Sequence, residues 1–154
     1  MELKDVIRRR RMWRTYQDDP IDPEVLRRIL EQGQRAPSAG YTQGFAFLVL
    51  DGPEETARFW EATAGGDPAW PGRGLRAAPV IVVPFGSKKA YLDRYAEEDK
   101  GWADRDESRW PTPYWLIDPA FASMLMLLSA VDEGLGALFF GLHPPTLPAF
   151  KEAF

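Results

Sequence analysis

The sequence predicts an α/β (α+β) layered domain, a central mixed sheet flanked by helices, from three observations. Residues 45–50 (FAFLVL) and 79–84 (PVIVVP) are short, continuous apolar runs with the branched and aromatic content of buried strands. Segments with helical spacing alternate with these runs. A longer apolar segment, 120–134 (AFASMLMLLSAVDEG), has no polar face and calls for cover on every side, in a core or at a subunit interface.

Leu3, Val6, Ile7 and Arg10 are spaced for a short first helix that ends inside an arginine run. Asp18, Asp19 and Pro20 make a turn. Asp22 followed by Pro23 reads as an N-cap with proline in the first helical position. Val25, Leu26, Ile29 and Leu30 form the apolar stripe of that second helix. It must stop before Pro37, because the residue preceding a proline disfavours the helical conformation. After the first strand, 53–64 is helical and 65–74 is a loop of Gly, Pro and Trp. After the second, 88–99 is helical, and 101–113 is an irregular loop rich in Trp and Pro, of a length that goes with function in a compact domain. Asp118 and Pro119 repeat the N-cap signal, Gly134 is the C-cap, and 136–141 (GALFFG) is a third strand. Residues 145–154 open a last helix in which the chain stops. The expectation is therefore one domain, 1–154, in the order α-α-β-α-β-α-α-β-α.

Composition removes several classes of function. A chain of 154 residues, 45% hydrophobic and 27% charged, has the make-up of a globular domain able to bury a core. Its net charge of −4 argues against a general nucleic-acid binder. With no cysteine, disulfides, thiol catalysis, iron–sulfur clusters and cysteine-ligated zinc are excluded. His143 is the only histidine, so a multi-histidine site is excluded too, and no metal is expected. The N-terminus is charged and has no apolar leader, and 120–131 is too short and too polar at its ends to span a bilayer. The expected protein is cytoplasmic, with neither a nucleic acid nor a membrane as partner.

Three stretches carry possible chemistry. RRRRMWRTY, Arg8 to Tyr16, places five arginines among nine residues of an acidic protein. Such a run serves either as a solvated basic face at a helix C-terminus or as a clamp for phosphate or carboxylate, whose geometry the guanidinium fork matches. Met12 and Trp13 within the run favour a clamp, because a loop that turns inward gains from burying a Trp. APSAGYTQG, 36–44, joins a helix to a strand with small residues that let backbone approach a flat or anionic group, and with Ser38, Thr42 and Gln43 as polar side chains. Its composition equally suits an ordinary turn. GLGALFFG, 134–141, is a helix cap followed by a strand; it has GxG but not GxGxxG, so it is no dinucleotide fingerprint.

In order and spacing, RRRRMWRTY, DDPIDPEVLRRIL, APSAGYTQGFAFLVL and the helix ending DEGLGALFFG resemble the FMN-dependent nitroreductase family over nearly the whole chain. The family opens with two basic residues, a small residue, any residue, then Arg or Lys and an aromatic; here Arg10, Arg11, Met12, Trp13, Arg14, Thr15 and Tyr16 stand in those places. The resemblance implies a nitroreductase-like fold and FMN as cofactor. Arg10 and Arg14 would hold the FMN phosphate, with Arg11 and Met12 beside them. Pro37, Ser38, Ala39, Gly40 and Gln43 would lie over the flavin of a partner subunit in a homodimer with flavin at the interface. Phe139, Phe140 and Gly141 would edge the ring near N5.

The family resemblance further implies ping-pong hydride transfer from NAD(P)H through flavin N5 to a nitroaromatic or quinone-like acceptor, with no catalytic side chain. Tyr41, Trp110 and Tyr114, with Trp102 and Trp115, are substrate or lid candidates, since aromatic walls suit a flat acceptor. The chain departs from the family pattern at Met12, where Ser is common, and at Tyr41, where Asn is common; it also stops where the family continues. Two other functions remain open: a flavin- or deazaflavin-binding relative with a different role, and a non-redox anion-binding or interaction module.

Overall fold

A computed structural model of the chain describes residues 1–64 and 71–154. Its helices in chain order are α1 (Leu3–Arg9), α2 (Pro23–Gln34), α3 (Pro53–Thr63), α4 (Arg73–Arg76), α5 (Lys88–Tyr95), α6 (Tyr114–Asp132) and α7 (Leu147–Ala153). Two strands, β1 (Phe45–Asp51) and β2 (Val80–Gly86), pair antiparallel, from Phe45 opposite Gly86 to Asp51 opposite Val80. Successive side chains on a strand point to opposite faces. Leu48 and Leu50 therefore share a face with their partners Val83 and Ile81, while Phe47 and Val82 project to the other.

Helices cover both faces. On the first, α3 contributes Phe59 and Trp60, and α7 contributes Phe150. Phe59 meets Trp60 edge-on at 5.0 Å and Phe150 at 6.1 Å, the arrangement that aromatic quadrupoles prefer. On the second, Ile29 of α2 packs with Met126 and Ala130 of α6. The start of α2 is as its sequence predicts: Asp22 Oδ1 accepts the Glu24 N–H at 2.8 Å, with Pro23 in the first turn. Arg28 joins α2 to the end of α6 through two bonds to the Glu133 carboxylate, 2.8 and 2.9 Å. The layered α+β class is as expected.

Several local expectations are corrected. The runs at 45–50 and 79–84 do form strands, but only Leu50 and Ile81 in them are fully buried. A sheet two strands wide leaves its flanks open even when helices lie on both faces. The third strand does not form: 136–141 makes a single parallel bridge, Ala137 with Met12. The ladder stops there because the next N–H in reach, that of Phe139, donates to Met12 Sδ at 3.4 Å and not to a carbonyl.

The helix expected over 88–99 ends at Tyr95. Finally, Asp118 and Pro119 do not start a helix. They lie inside α6, which begins at Tyr114, and the Asp118 carboxylate is committed to other segments. Of the loop expected at 65–74, residues 65–70 lie outside the described residues, and 73–76 form α4.

By length and composition α6 could cross a membrane, a test that core helices also pass. Ala122, Met126, Leu127 and Ala130 are buried, whereas Leu116, Phe121 and Met124 stand 65%, 48% and 46% exposed. The all-round cover its composition calls for is thus present on one side of a single chain.

Candidate functional site

The arginine run is divided by what each side chain does. α1 ends at Arg9, and its last carbonyls need partners. Arg11 Nη1 supplies them, donating to Arg8 O at 2.7 Å and Arg10 O at 2.9 Å, while Arg8 pairs with Asp5. Arg14 Nη1 donates to Met12 O at 3.1 Å, with the side chain otherwise exposed. Arg10 differs: its Nη1 is buried and has no hydrogen-bond partner among the described residues. A buried guanidinium N–H left unpaired costs the desolvation of that donor, which an acceptor oxygen placed there would recover.

The same segment runs beside the glycine-rich one. Trp13 N donates to Ala137 O at 3.1 Å, next to the Met12–Ala137 bridge and the Phe139 contact to Met12 Sδ. Trp13 is 52% exposed, so the inward turn expected of it is made by Met12 instead. Phe140 points inward and stacks on Trp60, 5.8 Å between ring centres. Phe139 is 52% exposed, and the space around Gly141 is open. An apolar cavity of about 190 Å³ adjoins this segment, walled by Trp60, Ile81, Met126, Ala130 and Leu138. Arg10, Arg14, Met12, Phe139, Phe140 and Gly141 are thereby brought to one edge of the fold.

The 36–44 loop is held elsewhere, by α5 and α6. Ser38 Oγ accepts the Gln43 N–H at 2.8 Å, and Thr42 Oγ1 donates to Ala39 O at 2.6 Å. Gly40, Tyr41 and Gln43 have φ of 61°, 55° and 49°. For Tyr41 and Gln43 this left-handed backbone costs about 1–2 kcal/mol per residue, a strain found where surrounding contacts over-determine the chain. Tyr41 is 78% exposed at the tip. Arg94 Nε donates to Gly40 O at 3.0 Å, and Asp118 Oδ2 accepts the Ala39 N–H at 2.9 Å.

The lid candidates Trp102, Trp110, Tyr114 and Trp115 lie in a packed aromatic cluster. Trp110 sits among Tyr95, Trp102, Trp115 and Tyr114 with ring centres 4.5–6.1 Å apart. Tyr114 lies at the rim, 38% exposed. Sequence reasoning missed Asp118, Tyr91 and Arg94 as supports of the loop. Asp118 was hidden by an Asp-Pro pair that imitates a helix start.

Solved structures share this layered α+β fold. A structure titled "Putative NADH Oxidase" from Clostridium acetobutylicum superposes with a TM-score of 0.71 at 25% identity, over 97% of this chain and 77% of that one. A "putative nitroreductase in complex with fmn" from Desulfovibrio desulfuricans gives 0.69 at 27% identity, over 98% and 77%. The profile of the Nitroreductase family matches residues 7–71.

Two curated relatives are each named "Putative NADH dehydrogenase/NAD(P)H nitroreductase". The one from Archaeoglobus fulgidus is 29% identical over 93% of this chain and 69% of its own length. The one from Methanothermobacter thermautotrophicus is 26% identical over 94% and 63%. Through the matched segment and these relatives, the chain is similar to nitroreductase-family proteins.

Proposed function

We propose that this protein is an FMN-dependent NAD(P)H oxidoreductase acting on electron-poor acceptors of the nitroaromatic or quinone type. The family match and the FMN-bound neighbour support a flavin oxidoreductase; NAD(P)H, the acceptor class and the ping-pong order are the finer part of the proposal. The observation that carries it is the buried, unpartnered Nη1 of Arg10 beside the Met12–Ala137 bridge. That donor fits a phosphate.

Arg10 would hold the FMN phosphate with Arg14, whose exposed fork has donors to spare, through charge-assisted bonds. Arg11 would stay with the end of α1. The backbone at 139–141 would border the ring, with Phe140 anchored in the core to hold it there. When bound, FMN would supply the two-electron chemistry, and the protein position and cover.

The exposed outer side of α6 supports a homodimer, and α1 adds Leu3 and Ile7, 65% and 55% exposed. In that assembly Pro37, Ser38, Ala39, Gly40 and Gln43 of one subunit would cover the flavin of the other, as the family resemblance implies. A cytoplasmic location belongs to the same proposal.

The test is a visible absorption spectrum under anaerobic conditions, before and after NADPH and separately NADH, followed by a nitroaromatic or a quinone. Bleaching by the nucleotide and recovery with the acceptor support the proposal. Colour without bleaching favours a ligand-holding relative, and a colourless protein that takes up no FMN favours an interaction module.

A further inference from the structure

Asp118 is only 1% exposed, in the second turn of α6. A buried carboxylate is costly unless it is hydrogen-bonded. Its Oδ2 accepts two bonds, from Tyr91 Oη at 2.6 Å and from the Ala39 N–H at 2.9 Å. Tyr91 is fully buried, and burial first, then the Asp118 carboxylate, push its phenol above the usual range, so it stays a donor.

The Ala39 amide opens the short 3₁₀ turn Ala39–Tyr41, where the left-handed stretch begins. The other supports come from one face of α5, at positions 91, 94 and 95. Arg94 holds the Gly40 carbonyl, and Tyr95 lies so close beneath Gly40 that a Cβ there would stand 2.6 Å from its ring. Only glycine meets both the positive φ and that contact.

We propose that Asp118 is a positioning residue: through Tyr91 and the Ala39 amide it fixes the backbone of 38–43, with its left-handed Gly40, Tyr41 and Gln43, and with it how that loop covers the flavin. The loop's part in flavin binding rests on the proposed function; its attachment to Asp118 does not. Tyr91, Arg94 and the Trp110 cluster are the platform under the loop.

The experiment compares wild type with Asp118→Ala, Asp118→Asn and Tyr91→Phe. It measures amide hydrogen exchange by NMR, the FMN dissociation constant and the emission of bound FMN. Asp118→Ala is expected to speed exchange at Ala39, Tyr41 and Gln43 by about tenfold or more, with amides of α2 and the middle of α6 unchanged. It should also raise the FMN dissociation constant about tenfold and shift the bound-flavin emission. Asn keeps a neutral acceptor oxygen, so Asp118→Asn should bring both values back to within about threefold of wild type.

A uniform rise in exchange throughout the chain would overturn the proposal, as would a faster loop with unchanged FMN affinity and emission. If Asp118→Ala does not fold, Tyr91→Phe decides: exchange at Ala39 should rise about threefold, and no change there overturns the proposal. If wild type binds no FMN, it is the cofactor assignment that fails, and exchange alone decides whether Asp118 positions the loop.

Discussion

The Trp13 indole lies against Gly136 so closely that a Cβ there would stand 2.8 Å from its Cδ1. This contact seats the basic segment on the glycine-rich one, next to the Met12–Ala137 bridge. Gly136→Ala must push Trp13 away or bend the bridge. Overpacking of this kind costs about 1–3 kcal/mol. Chemical denaturation should show a loss of that size with the slope unchanged, and FMN affinity should fall with it. A variant as stable as wild type would mean that the two segments are not held together by this contact.

The arginines should separate by role. Arg10→Ala should weaken FMN binding about 10- to 100-fold, the loss of a charge-assisted bond of about 1.5–3 kcal/mol. Arg11→Ala should leave FMN affinity within about threefold and lower stability by about 0.5–1.5 kcal/mol, since its Nη1 serves the carbonyls of Arg8 and Arg10. Fluorescence titration and thermal melts of the two variants check this, and a reversed pattern would exchange the two roles.

These roles mark how far the sequence could be read. Helices α1 to α3 were legible because their signals are local, most fully in α2, where Asp22 caps through the Glu24 N–H two residues on. The two strands were legible from apolar runs, but their exposed flanks were not, since sheet width depends on pairing between distant segments. The third strand failed for the same reason, because one side chain, Met12 Sδ, takes the Phe139 N–H that a ladder would need. Which of four adjacent arginines is left with an unpaired buried donor is a tertiary fact, as is the commitment of Asp118 to Tyr91 and Ala39.

The outer side of α6 should be a subunit contact. Met124→Glu puts a charge at a position 46% exposed in the single chain, so it should fold with a normal circular dichroism spectrum. Sedimentation should show wild type as a dimer and this variant as a monomer. A monomeric wild type would remove the homodimer from the account.

The Arg94 tether of the loop should survive mild acid. The Arg94 guanidinium, hydrogen-bonded to Asp99, holds that carboxyl down to about 2. With the folded value depressed, the pair contributes above the ordinary value of 3.8 and is lost as pH falls through about 2. Carbon-13 NMR of the Asp99 carboxyl should give a midpoint well below 3.8, with the Gly40 environment unchanged above it. A midpoint at the ordinary value would mean that Asp99 does not hold Arg94 in place.

The central claim is that the segment from Arg10 to Arg14, bridged to 137–141, holds FMN. Titrating the purified protein with FMN tests it most directly, reading visible absorption and flavin emission, with the Arg10→Ala/Arg14→Ala double variant alongside. The account predicts saturable binding with altered flavin bands in wild type, and its loss in a double variant whose circular dichroism spectrum is unchanged. No saturable binding by wild type, or equal binding by the folded double variant, would contradict it.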